Sequence, residues 1–482
     1  MSYLLAISVG PVQDFIAAAR RTADLYAGSQ LLLEVTKEIA RFLEEKGATL
    51  IFPSDAKQGG ANKILVEVTG DPKHLVDQAK QAAKSILLRQ WRFQVREFSN
   101  TDCIDIDRAR MQLEDFLEIY AAWVELGDYK KSRESVERLL AGRKALRDFE
   151  QNIDDDTGIP KSPLDASRAS VLRNFENVGD TTANGKQLRL RKNEFLDAIS
   201  LLKRIYGARE SDRVIDTRTM ARRAKTPNAM PDERLFEDED SITELQPYYA
   251  ILHADGDKMG ALIETKNSAE EHRIFSSKLS SFAEGVQKIV EKHHGFKIYS
   301  GGDDVLAFLP VNTAIACARE LADAFLQEAS LSVGIAIVHY REPLSISLDY
   351  SRTAEKAAKN KSDKDPNNHG NRLAVALHTR GGAPMTVVEP WNKPELEKLL
   401  ELYQKESVSK GVPYELKQLA REWEKTDLPM IALKAEAKRI AARKEGVKLE
   451  IPELTSIKDL EIFANKLVLA RFLSGLGGEN AD

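Results

Sequence analysis

Cysteine is scarce in this chain, with two residues, Cys103 and Cys317, among 482. No CxxC pair is present, and two distant thiols cannot by themselves build a four-ligand zinc cluster, so no structural zinc is expected. So little cysteine fits a reducing compartment. Long apolar runs are missing too: none approaches the roughly 18 residues that a membrane helix needs. The N-terminus, MSYLLAISVG, lacks a basic leader segment and reads as a strand rather than a secretion signal. The expected location is the cytoplasm, with no membrane partner. There is also no excess of positive charge. The net charge of −5 excludes a general polyanion binder, so any nucleic-acid contact must come from local basic patches. What is present is an ordinary globular composition, 42% hydrophobic and 30% charged, over a length suited to about three domains.

Periodicity divides the chain. YLLAISV (3–9) reads as a strand, and GPVQDFIAAARRTADLYAGSQLLLEVTKEIARFLEEKG carries helical spacing to a stop at Gly47. ATLIFPS and NKILVEVTG read as strands, and HLVDQAKQAAKSILLRQW reads as a helix. That order is most of a ferredoxin-like unit. From Tyr248 the order returns as YYAILHA, a helix to Gly295, the strands FKIYS and VLAFLP, another helix, and the strand LSVGIAIVHY. The two units also open alike, YLLAISVGPVQDFI from Tyr3 against YAILHADGDKMGALI from Tyr249. The reading is a duplicated α+β fold. Residues 1–100 form a first, degenerate unit without acids at the strand end, 101–245 a mostly helical middle, 246–390 a second unit, and 391–482 a lysine-rich helical end. The acidic PDERLFEDEDSITELQP (231–247) reads as a linker or exposed loop.

The chemistry concentrates in the second unit. IYSGGDDVLAFL (298–309) places Gly301 and Gly302 before Asp303 and Asp304, in the middle of an apolar, strand-like run. A Gly-Gly step suits a tight hairpin, because primed turns need positive φ. The preceding strand, AILHA, ends at Asp255-Gly256-Asp257. In a ferredoxin-like unit the first strand and the hairpin share a sheet, so Asp255 is expected beside Asp303 and Asp304. Carboxylates crowded at one sheet end repel each other unless a cation compensates. Oxygen-only ligands favour Mg²⁺ or Mn²⁺ over zinc, and two such ions about 3.5–4 Å apart form a clamp for phosphoryl and nucleotidyl transfer. Alone, GGDD is as readily a solvated turn, and DGD a strand-to-helix cap. Together, in the correct order, they read as a metal site.

ADGDKMG followed by YSGGDDVLAF resembles the palm domain of polymerases and nucleotide cyclases. GPVQDFIAAARRTADLYAGS (10–29) resembles a narrower family, the large palm-polymerase subunit of type III CRISPR effector complexes in its Cmr-type form. KSPLDASRASVL (161–172), EFLDAISLLKRIYG (194–207), GIAIVHYREPLSISLDYSRTAEKAAK (334–359) and LAVALHTRGG (373–382) agree with it. The resemblance implies two cyclase-like (GGDEF-like) palm domains, with helical middle and C-terminal domains. It implies target-RNA-activated synthesis of cyclic oligoadenylate from ATP, as the signalling subunit of an antiviral complex with guide RNA, target RNA and other subunits as partners. Asp255, Asp303 and Asp304 would hold two Mg²⁺ or Mn²⁺ ions, with Gly256, Asp257, Ser300, Gly301 and Gly302 near the nucleotide. Larger members of the family begin with an HD nuclease domain. Here the chain starts at the first palm and shows no His-Asp dyad, so no DNA cleavage is expected. A stand-alone cyclase, joining of AMP to another acceptor, and a non-enzymatic scaffold remain as alternatives.

Further residues carry two readings each. Lys356 and Lys359 either neutralise a triphosphate, as the family segment implies, or form a solvated helix face. Gly28 and Ser29 either help hold a second ATP, by the same resemblance, or mark a turn. RLRK (189–192) and RTMARRAK (218–225) are either RNA or protein contacts or exposed helix faces. Arg20 and Arg21 suit phosphate or protein equally. His253 reads as a core or sheet-edge histidine, and His293-His294 as a solvated helix end.

Overall fold

The structure is a computed structural model. It describes residues 1–58, 62–95, 103–146, 158–173, 182–183, 186–188, 190, 194–231, 247–362, 365–442 and 449–475. All but the two end residues of the expected linker, and most of RLRK, lie outside these residues.

The first unit is an antiparallel sheet of β1 (Ser2–Gly10), β2 (Thr49–Phe52), β3 (Lys63–Thr69) and β4 (Glu118–Glu125), in the order β2-β3-β1-β4. This is the ferredoxin-like order, but its last strand lies beyond the expected boundary at residue 100. EIYAAWVE is separated from the earlier strands by two helices, so its membership is visible only in the sheet. In β1 successive side chains alternate between faces. Leu5, Ile7 and Val9 enter one core and Leu4 and Ala6 another. On the first face lie α1 (Gln13–Ala17), α2 (Thr22–Glu45), α3 (Pro72–Val95) and α4 (Ile106–Glu114). The other face is covered by α5 (Tyr129–Ala145). The helix expected from residue 10 breaks between Ala17 and Thr22.

The middle adds the short ladder β5 (Thr182–Ala183) and β6 (Lys186–Gln187), with α6 (Ala198–Arg209) and α7 (Thr217–Arg222). α6 packs on α2 through buried charge: Arg204 donates to both Asp24 oxygens and to Glu194 at 2.9–3.2 Å. Beside it, buried Lys203 donates to the Phe15 and Ala18 carbonyls, each at 2.6 Å.

The second unit runs through β7 (Tyr248–Gly256), α8 (Met259–Glu264), α9 (Ala269–Lys292), β8 (Phe296–Gly301), β9 (Asp304–Leu309), α10 (Ala314–Ala324), β10 (Leu331–His339) and α11 (Leu344–Lys359). After the short pair β11 (Lys361–Ser362) and β12 (Asp365–His369), β13 (Arg372–His378) and β14 (Met385–Pro390) extend the sheet. The order is β14-β13-β10-β7-β9-β8, with β13 parallel to β10 across the α11 crossover. The four helices α12 (Glu395–Gln404), α13 (Val412–Trp423), α14 (Met430–Ala441) and α15 (Ile457–Gly475) follow. They share one core with Leu252, Leu309 and Val333 rather than closing a core of their own.

Period two also places the acids. Tyr249 and Ile251 of β7 and Leu306 and Phe308 of β9 enter the core shared with the first unit, while Ala250, Leu252, Val305 and Ala307 face the other core. By that alternation Asp255 and Asp304 lie on the sheet face turned toward the first unit.

Candidate active site

β7 pairs antiparallel with both β9 and β10, which brings the end of β7 beside the β8–β9 hairpin. Gly301 and Asp304 form the last pair of that hairpin, so its two-residue turn is Gly302-Asp303. Gly302 takes φ +84°, which an L side chain resists; the turn sits one residue later than a Gly-Gly tip would put it. Gly256 lets Asp303 come close, since a Cβ at residue 256 would lie 2.9 Å from the Asp303 Cβ. Burial pushes the Asp303 carboxyl up to about 6, and the charge of Asp304 adds to the rise.

α11 brings positive charge to the same end. It lies directly on β10 because residue 334 is glycine: a Cβ there would stand 2.0 Å from the Glu355 amide nitrogen. The Lys359 ammonium contacts the Asp255 carboxylate, lies 3.2 Å from the Gly256 carbonyl, and is 3.7 Å from Glu355. Burial lowers the pKa of Lys359. Glu355, which sequence reasoning missed, has its carboxyl raised by burial, while the nearby His253 lowers it and Asp304 raises it. Its only signal was the i, i+4 spacing to Lys359.

Asp304 has neighbours of its own. Its Oδ1 lies 3.2 Å from His253 Nε2, and the Tyr299 hydroxyl donates to its two oxygens at 3.1 and 3.3 Å. Desolvation raises the Tyr299 pKa well above its ordinary value, with the Asp304 charge adding to the rise. His253 is therefore a sheet histidine with a polar task, and Tyr299 was not singled out in the sequence.

Several expected site residues are placed differently. Asp257 turns inward: Ser332 and Ser330 donate to its two oxygens at 2.7 Å, and the Asn371 backbone N–H adds a third bond at 2.7 Å. Such a carboxylate braces the strand end rather than facing a nucleotide. Gly28 and Ser29 are buried inside α2, with a Cβ at 28 within 3.5 Å of Ile16 and Lys203. Lys356 is exposed on α11, and the Ser300 Oγ is buried without a partner. Arg20 lies 3.8 Å from Glu194, and Arg21 donates to the Leu188 carbonyl at 2.9 Å. Arg223, from RTMARRAK, donates to the Ala229 and His294 carbonyls and so joins the middle to the second unit. His293 Nε2 meets Glu320 at 2.9 Å.

The donor chemistry at this sheet end, oxygen ligands with a carboxyl already pushed toward protonation, suits a hard divalent cation. The expected ligand set is not assembled, however. Among the described residues no three His, Cys, Asp or Glu side chains stand close enough to hold a metal ion. Asp255 is neutralised by Lys359, and Asp304 is held by His253 and Tyr299. No helix among the described residues is long and apolar enough to cross a membrane.

Known proteins share both halves of this arrangement. A family model described as Cas10/Cmr2, second palm domain, matches residues 248–367. Another, CRISPR-associated protein Cmr2, N-terminal, matches residues 4–118. The CRISPR system Cmr subunit Cmr2 of Pyrococcus furiosus is 30% identical over 257 residues, covering 44% of this chain and 29% of that relative. The match thus spans less than a third of the relative's length. Among solved structures, a type III-B Cmr-beta complex bound to cognate target RNA contains a chain with TM-score 0.71 and 14% identity, covering 98% of this chain and 83% of that one. A Csm1-Csm4 cassette in complex with pppApA gives TM-score 0.57 and 13% identity, over 98% of this chain and 69% of that one. These two likenesses show the fold. The two matched segments, one in each sheet, make both units of this chain similar to the Cas10/Cmr2 family of CRISPR-associated proteins.

Proposed function

We propose that this chain joins adenylate units from ATP into cyclic oligoadenylate, as the signalling subunit of a type III effector complex switched on by target RNA. The observation that carries this reading is that one sheet end holds Asp255 with Lys359, Asp303 in the hairpin turn and Asp304, with Asp255 and Asp304 on the face turned toward the first palm. The same fold in Csm1-Csm4 cassettes solved with AMPPNP, pppApA and cA4 supports it.

Asp255, Asp303 and Asp304 would hold Mg²⁺ or Mn²⁺, which when bound polarises phosphate oxygens and makes a ribose 3′-hydroxyl more acidic. Lys359 then exchanges its carboxylate partner for the triphosphate, so the charge brought in by ATP is balanced from α11. Gly302, with nothing within 4 Å of the place of a Cβ, leaves backbone uncovered for the nucleotide. In the reaction the 3′-oxygen bonds to the α-phosphorus of the next ATP and loses its proton, and the bond to pyrophosphate breaks. Asp257 keeps β7 and β10 in register beneath the site. Guide RNA, target RNA and the other subunits are the proposed partners, and the cytoplasm is the proposed location.

The test is incubation of the reconstituted complex with radiolabelled ATP and Mg²⁺ or Mn²⁺, with and without matching target RNA. RNA-dependent cyclic product is expected. Product without RNA would favour a stand-alone cyclase, and no product while target RNA is bound would refute the reading.

A further inference from the structure

Asp304 is braced from two neighbouring strands. His253 on β7 and Tyr299 on β8 are both register partners of Leu306 on β9. The three residues form one row across the sheet, and Asp304 lies two residues further along β9, on the same face. It is therefore the diagonal neighbour of both His253 and Tyr299, within reach of long or aromatic side chains. A β-bulge between Lys297 and Tyr299 brings the tyrosine into that row. Bulges beside functional sites commonly re-aim a side chain in this way.

The contacts are polar and enclosed. His253 Nε2 lies 3.2 Å from Asp304 Oδ1 and 3.2 Å from the Tyr299 hydroxyl, which itself donates to the carboxylate. His253 Nδ1 is buried with no hydrogen-bond partner. A histidine kept only for packing would gain nothing from that unmet nitrogen, and an apolar residue would serve better there. Behind the two rings is a cavity of about 10 Å³, closed by Ile16 and Ala17 of the first palm and by Ser351 and Arg352 of α11. That is room for one water at most, so little free space surrounds the rings on that side. The segment Ile16–Ala17 is itself pinned on both sides, by the Lys203 ammonium on the Phe15 and Ala18 carbonyls.

We propose that His253 and Tyr299 are positioning residues that set the direction of the Asp304 carboxylate for a divalent cation, with the first palm's Ile16–Ala17 segment as their backstop. The inference rests on the metal-dependent reading above and deepens it. It also gives the first palm, which has no Asp or Glu at the end of its first strand to match Asp255, a physical task at the second palm's site.

Mn²⁺ binding to the purified full-length chain, followed by electron paramagnetic resonance, tests this without any turnover. Asp304→Ala sets the scale of complete loss. Tyr299→Phe and His253→Leu are expected to weaken Mn²⁺ binding by about 10–100-fold, the usual effect of removing a partner that orients a metal ligand. His253→Gln, which keeps an N–H near the place of Nε2, is expected to recover most of the affinity. Thermal melts check that each variant is folded, and Tyr299→Phe changes no volume in the core. Wild-type binding by both Tyr299→Phe and His253→Leu, with loss in Asp304→Ala, would overturn the positioning role alone. Wild-type binding by Asp304→Ala would overturn it together with the metal reading. Weakened binding in a chain that makes no oligoadenylate would uphold the positioning role while the proposed reaction failed.

Discussion

Replacing Arg204 by methionine tests how the middle of the chain is held against the first palm. The guanidinium is fully buried and makes five hydrogen bonds, three to Asp24 and two to Glu194. Both acids are themselves 3% exposed. Arg204→Met keeps the apolar stem but removes the counter-charge, leaving Glu194 with Arg20 at 3.8 Å. Breaking a buried pair from one side costs about 3–5 kcal/mol, because the remaining charge stays desolvated. With two acids affected, the upper half of that range is expected. At about 2–4 °C per kcal/mol for a unit of 150–250 residues, the first melting transition should fall by roughly 10 °C or more. Differential scanning calorimetry of wild type and variant reads the loss. A loss below about 1 kcal/mol would refute the claim that this ion cluster fixes α6 on α2.

Three further outcomes follow from other sites. Burial lowers the pKa of His272 to about 4, and its Nδ1 lies 2.8 Å from the Tyr129 hydroxyl of the first unit. Since the unfolded chain then binds the proton more tightly, stability should be full above about pH 6.5 and fall by up to about 3 kcal/mol as pH drops to 4; urea titrations of wild type and His272→Gln would show that slope disappear in the variant. Gly334→Ala drives a Cβ to 2.0 Å from the Glu355 nitrogen, so it should cost about 3 kcal/mol or more and shift Lys359 off Asp255, read as a lower Tm together with lost ATP binding. Asp257→Asn should lower the Tm, because an amide cannot accept from both serines and the Asn371 N–H, while leaving Mn²⁺ affinity unchanged; a collapse of Mn²⁺ affinity in a folded variant would make Asp257 a ligand after all.

Much of the candidate site was legible because it depends on local rules. The ferredoxin-like strand order already put Asp255 beside the hairpin acids, and the glycine pair announced the hairpin. What could not be read depends on partners far away in the chain. The serines that claim Asp257 lie at the start of β10 and one residue before it, and the strand that completes the first sheet follows two helices. The β8 bulge that delivers Tyr299 changes register without changing composition, so nothing in FKIYS marks it. Gly28 and Ser29 read as a second ATP contact or as a turn, yet α2 runs through both, with the place of a Cβ at residue 28 within 3.5 Å of Ile16 in α1 and Lys203 in α6. The C-terminal helices read as a separate domain since their apolar faces do not reveal that β7 and β10 supply the opposing wall.

The central claim is that the acids of the second palm carry out nucleotidyl transfer. The most direct measurement is product formation from radiolabelled ATP by the target-RNA-bound complex carrying wild-type chain, Asp255→Ala, or Asp303→Ala/Asp304→Ala. Cyclic oligoadenylate from wild type, with loss in both variants while target RNA remains bound, is the predicted result. Undiminished product from either variant would contradict it.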